Sequence, residues 1–171
     1  MIRPIQNSVN IGNAGEHFVM AQLLEQGFQA FMADRGNPAF DISVVDGSRF
    51  SLLRVKTTKA DSVVWSRKKD GKTFLELREV GDFCCVVDFR LGFREAITYV
   101  VPTKIVQESI EGGRRDWLSR PRRDGTPRAD SSGQRLWLDE KTDTHAYHGY
   151  AKKWEQYRGN WDQLRDGVKY V

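Results

Sequence analysis

The segment Phe40 to Thr58, FDISVVDGSRFSLLRVKTT, constrains this chain more than any other. Asp46-Gly47 is a hairpin signal, because both residue types tolerate the positive φ that tight β-turns require. Two antiparallel strands are therefore predicted, with Asp41 entering the first and Arg54-Val55-Lys56 ending the second. Side chains alternate across a strand, so Phe50, Leu52, Arg54 and Lys56 share one face while Leu53 and Val55 share the other. Arg54 and Lys56 then project together toward whatever Asp41 faces. One reading is an edge strand whose surface cations pair with Asp41. The other is a phosphodiester-cleaving site, which needs acidic ligands for Mg²⁺ and a nearby cation to meet charge developing on the phosphate. Asp41 and Lys56 suit two of those roles.

The preceding segment supplies a further carboxylate. Asn13-Ala14-Gly15-Glu16 opens a predicted helix that runs to Gln26 and stops at Gly27, a good C-terminal glycine. Its expected apolar stripe is Ala14, Phe18, Ala21 and Leu24. Glu16 lies on the flank of that stripe, beside Met20. It either closes a capping box with Asn13 or points into a cleft toward Asp41.

Glu16 in GNAGE, Asp41 in FD, the hairpin and Lys56 in RVKTT together resemble the PD-(D/E)XK nuclease superfamily, especially its small resolvase-like and restriction-like members. The resemblance covers roughly residues 10–111. Phe83 to Phe89 and Ile97 to Val101, followed by Pro102-Thr103-Lys104, are similar to the later core strands and the helix after them. It implies an α/β fold: a restriction-endonuclease-like mixed β-sheet flanked by helices, with a C-terminal extension. It also implies a Mg²⁺-dependent DNA endonuclease, or a catalytically impaired descendant that still binds DNA. Asp41 and Glu16 would be the metal ligands, and Lys56 the catalytic lysine. Arg54 departs from the pattern where the second acidic ligand is expected. A guanidinium about 4 Å from a divalent ion is repelled by roughly 8 kcal/mol at an effective dielectric near 20. Arg54 must then swing away or take the metal's place, pairing with Asp41 in a noncatalytic binding module. Glu76 is a candidate compensating carboxylate.

At 171 residues the chain is long enough for one domain with a sizeable core. A charged share of 29% beside a hydrophobic share of 39% is that of a soluble globular protein. Its apolar runs are too short to span a membrane, and no secretory signal opens it. Cys84 and Cys85, adjacent in an apolar strand, read as reduced core residues and suit the cytoplasm. The expected organisation is a core at 1–111, an arginine-rich loop at 112–135 and a C-terminal extension at 136–171 that packs on the core.

Between Gly112 and Arg135 there are seven arginines against three aspartates. Prolines, glycines and the Ser131-Ser132 pair are expected to deny this stretch a regular helix or strand. Arg114, Arg115, Arg120, Arg122 and Arg123 are its candidate phosphate contacts, with Trp117 available for stacking. A second basic element is a predicted hairpin of Val63-Val64-Trp65 and Thr73-Phe74-Leu75, with Lys68 and Lys69 near its tip. Nucleic acid, DNA first, is thus the expected partner, with a homodimer left open and no membrane. Gln134 to Leu138 reads as a strand and Gly149 to Tyr157 as a helix. Tyr150, Trp154, Tyr157 and Trp161 are expected to form one aromatic face.

Overall fold

A computed structural model describes residues 7–34, 36–37, 39–66, 81–139 and 154–165. Helix α1 (Ser8–Glu25) is followed by strands β1 (Gln29–Met32), β2 (Ile42–Asp46), β3 (Arg49–Thr58), β4 (Ser62–Ser66), β5 (Asp82–Asp88) and β6 (Ile97–Pro102). Helix α2 (Thr103–Ser119), strand β7 (Gly133–Trp137) and two 3₁₀ turns (Glu155–Tyr157 and Trp161–Leu164) complete the order.

Five strands form one mixed sheet in the order β1-β2-β3-β5-β6, in which only β3 and β5 run parallel. The β2–β3 hairpin closes at the Asp46–Arg49 pair, with Gly47 at φ 61° in its turn. β5 lies between β3 and β6 and is covered on both faces, which is why FCCVVD is apolar nearly throughout rather than alternating. Cys84 points to one core and Cys85 to the other, so neighbouring free thiols are held apart by strand alternation.

α1 covers the face made by Ile42, Leu53, Val55, Cys85, Val87 and Val100. The opposite face, with Cys84, Val86, Tyr99 and Val101, is covered by α2 and by the two-stranded β4–β7 ribbon. The helix begins five residues before the sequence suggests, because the Asn7 side chain accepts the Val9 amide at 2.9 Å and caps it there. Asn13 and Glu16 therefore lie inside the helix, and no capping box forms between them. The buried stripe is also different. It is Gly15, Val19 and Leu23, with Ala14 and Phe18 only partly buried and Leu24 56% exposed. Gly15 sets that rotation: a Cβ there would stand 1.8 Å from Thr57 Oγ1 on β3, so helix and strand approach as only glycine permits.

The C-terminal segment straddles the β6 edge. Trp154 is fully buried on the α2 side, whereas Trp161 and Leu164 are buried on the α1 side. Between them Arg158 bridges Tyr99, Gly159 N–H donates to the Thr98 carbonyl at 2.8 Å, and Gln163 Nε2 donates to the Val100 carbonyl at 2.9 Å. The expected single aromatic face is thus split, because the chain turns at Gly159 (φ 58°) and passes round the sheet. Tyr150 lies outside the described residues.

Candidate functional site

Asp41 immediately precedes β2 and is fixed from three directions. Its N–H donates to the Leu53 carbonyl at 2.9 Å, and its carbonyl accepts the Ala33 amide at 2.8 Å. Its Oδ2 accepts the Val55 amide at 2.7 Å. The other oxygen, Oδ1, faces Arg54 Nη1 at 3.3 Å, and both side chains are mostly shielded from solvent. The same nitrogen donates a long bond to the Asn37 carbonyl at 3.5 Å. Asn37 was not legible as a site residue. Its Oδ1 accepts the Ala39 amide at 2.8 Å, a local turn that shapes the approach to Asp41.

Register confirms the face shared by the two cations: Arg54 lies opposite Cys84 and Lys56 opposite Val86 on β5. Lys56 is half-buried, with Nζ 5.6 Å from the centroid of the Trp65 ring, within cation–π range. Burial lowers its ammonium below the ordinary value, and the Arg54 charge adds to that. Trp65 is 4% exposed in the second core, so it backs Lys56 rather than forming part of an exposed basic tip. Strand alternation at Val63 and Trp65 carried the signal for that burial.

Glu16 belongs to α1, a helix that packs on the sheet face opposite the one holding Trp65, the ring beside Lys56. Burial and then the nearby Asp41 carboxylate raise it above the usual range, while Arg54 and His17 pull it back. The Asp41 carboxylate and the Arg54 guanidinium are within the electrostatic reach of both Glu16 and Lys56. Burial pushes the Cys84 thiol up to about 12, so it is neutral beside Lys56 near neutrality.

The donor set does not suit Mg²⁺. Both Asp41 oxygens are engaged, one of them by a guanidinium, and among the described residues no three His, Cys, Asp or Glu side chains converge on a cation position. Glu76 lies outside the described residues, as do Lys68, Lys69 and the Thr73-Phe74-Leu75 strand of the predicted hairpin. The described partner of β4 is β7.

The arginine-rich stretch is more ordered than its prolines and glycines suggest. α2 continues through Gly112 and Gly113 to Ser119, so Arg114 and Arg115 are helical. Packing of Val106 and Ile110 on the second core carries the helix past two residues that weaken it in isolation. Beyond it, the chain folds back on the helix. Arg114 pairs with Asp130, Arg120 with Asp116 at 2.8 Å, and the Arg128 guanidinium stacks 3.7 Å over Trp117. Arg114 and Arg120 thus act as internal ties. Arg115, Arg122 and Arg123 are exposed and make no ion pair among the described residues.

No protein-family model and no curated protein matches the sequence. Solved structures do. The bacterial homing endonuclease I-Ssp6803I is similar over 95% of this chain and 95% of its own, with a TM-score of 0.53 and 15% identity. Hjc, a Holliday junction resolvase from the archaeal hyperthermophile Archaeoglobus fulgidus, is similar over 74% of this chain and 83% of its own, with a TM-score of 0.42 and 16% identity. The likeness to the homing endonuclease shows the fold alone: a mixed β-sheet flanked by helices, in the same α/β architecture. No helix among the described residues is long and apolar enough to cross a membrane.

Proposed function

We propose that this chain binds DNA on a nuclease-like scaffold whose hydrolytic centre is closed by Arg54. The observation that carries this reading is the Arg54 guanidinium 3.3 Å from Asp41, at the strand position where the fold's pattern calls for a second carboxylate. Two supports come from beside it: the nuclease-type fold, and three exposed arginines (Arg115 at the end of α2, Arg122 and Arg123 in the loop after it) that make no ion pair among the described residues, in a stretch tied down by its own ion pairs. Such a loop loses little conformational entropy when it meets a phosphate backbone.

The test is a plasmid-nicking assay with Mg²⁺ on the native chain and on Arg54→Glu, alongside melting curves with and without the ion. The native chain is expected to show no Mg²⁺-dependent nicking and no Mg²⁺-dependent shift. Arg54→Glu should cost about 1–2 kcal/mol of stability without metal, the pair being partly exposed. It should then regain stability as Mg²⁺ is added, since the ion binds the folded form. Nicking by the native chain that Lys56→Ala abolishes would overturn the closed-site reading. The endonuclease reading has one observation in its favour, the second carboxylate of Glu16 near Asp41, and that result would select it.

DNA binding itself is read from salt. Engaging roughly four phosphates gives a log–log slope of about −3 to −4, and replacing Arg115, Arg122 and Arg123 by Ala should flatten it by about 2.7. Arg114→Ala should instead lower stability and leave the slope within about one unit of native. A slope unchanged in the triple variant would remove the loop from the interface.

A further inference from the structure

The β4–β7 ribbon has an outer face that the core does not use. Strand alternation sends Val63, Trp65 and Leu136 into the core beside α2. Val64 and Arg135, which lie directly opposite each other, are turned outward, and Trp137 follows two residues along β7 on the same face. Val64 is 51% exposed, and Arg135 is exposed beside it. The Arg135 guanidinium lies over the Trp137 ring, 5.1 Å from its centroid, and makes no ion pair among the described residues. The ring steadies the guanidinium without neutralising its charge or taking up its planar fork of donors. The next pair on this face is Ser66 opposite Gly133, both exposed, so no bulky side chain stands at that end of the ribbon. Gly133 is also where the arginine-rich stretch joins the ribbon. Ser131 Oγ donates to the Gly133 carbonyl at 2.8 Å, and Gln134 Nε2 donates to the Ser131 carbonyl at 3.1 Å.

Resting on the DNA-binding reading, we infer that the outer face of this ribbon lies in the major groove and reads base edges there, with Arg135 at a guanine and Val64 at a neighbouring thymine methyl. Width selects the groove. Two strands about 4.8 Å apart fit a major groove about 12 Å wide, whereas the minor groove, about 6 Å wide, does not admit them. Residue type selects the bases. Arginine offers donors alone, which match the O6 and N7 acceptors of guanine, and valine offers only apolar contact, which matches a methyl group. No carboxylate stands among the six paired residues of this face to oppose the DNA. The arginines before β7 then hold phosphates while the ribbon supplies sequence preference, two tasks that fall to different contacts in DNA recognition.

The experiment measures binding by fluorescence anisotropy at fixed salt for the native chain, Arg135→Ala and Val64→Ser. Three labelled duplexes of equal length are compared. The first alternates guanine and thymine along one strand; the second carries 7-deazaguanine for guanine, and the third uracil for thymine. The phosphates are the same in all three, so only base-edge contacts separate them. The native chain should bind the first duplex about tenfold more tightly than the second and about threefold more tightly than the third. Arg135→Ala should bind the first two alike. Val64→Ser should lose the preference for thymine over uracil, keep the preference for guanine, and retain the native salt slope, since an apolar contact releases no counterions. Both substitutions lie on an exposed face, and a melting curve of each variant checks that it is folded. Equal native affinity for the three duplexes, or a guanine preference that persists in folded Arg135→Ala, would overturn the ribbon as a reader and leave the DNA-binding reading standing. Failure of the native chain to bind any of the three would overturn the DNA-binding reading and this inference with it.

Discussion

Trp154→Ala will lower the stability of the fold by about 3–5 kcal/mol, the range for deleting a large buried aromatic side chain. The indole is 0% exposed and packs in the core that holds Cys84, Val86, Tyr99, Val101 and Val106. For a chain of this length each kcal/mol shifts the melting temperature by about 2–4 °C, so a fall of roughly 6–20 °C is expected. The same residue helps hold the segment that lies along β6, so the effect extends beyond one cavity. Trp154→Phe refills part of the space and should cost less than half as much. A melting curve of Trp154→Ala within about 2 °C of native would mean that this segment is not part of the folding unit.

Gly15→Ala will cost about 3 kcal/mol or more, although alanine is the better helix former. The added Cβ would stand 1.8 Å from Thr57 Oγ1 and 2.8 Å from Thr57 Cβ, and relief requires α1 to lift from β3. A control lies three residues earlier in the same helix. At Gly12 a Cβ meets nothing within 4 Å, so Gly12→Ala should stabilise by about 0.5–1 kcal/mol. Thr57→Gly should cost about 2 kcal/mol less in the Gly15→Ala background than in the native chain, which is the coupling a double-mutant cycle should return. Additive effects at the two positions would show that the helix does not rest on Thr57. Because Glu16 follows Gly15, any lift of α1 also displaces that carboxylate from Asp41 and Arg54.

The hairpin, Asp41 and the shared face of Arg54 and Lys56 were legible because they follow from turn chemistry and a two-residue period, both local. β5 was legible as a strand through its apolar run. What escaped depended on contacts distant in sequence. The helix stripe was misassigned because its contact residue is a glycine, which carries no hydrophobic signal, and the row Gly15-Val19-Leu23 reads more weakly than Ala14-Phe18-Ala21-Leu24. The order of the arginine loop depends on pairs such as Arg114 with Asp130, sixteen residues apart, which composition does not reveal. The aromatic spacing of Trp154, Tyr157 and Trp161 suggested one helical face because the turn at Gly159, which carries the chain round the sheet, has no hydrophobic period.

The way β6 is closed has a consequence for synthesis. Its inner neighbour, β5, leaves the ribosome first, but its outer cover at residues 154–165 emerges only about fifty residues later. At about 5–20 residues per second that is roughly 3–10 s. Throughout that interval the Thr98 and Val100 carbonyls, later taken by Gly159 and Gln163, face outward from a newly made sheet edge. Nascent chains growing side by side on one message present the same edge to each other at the same time. The yield of correctly folded protein should therefore depend on translation speed between β6 and the closing segment, slower elongation leaving the edge bare for longer.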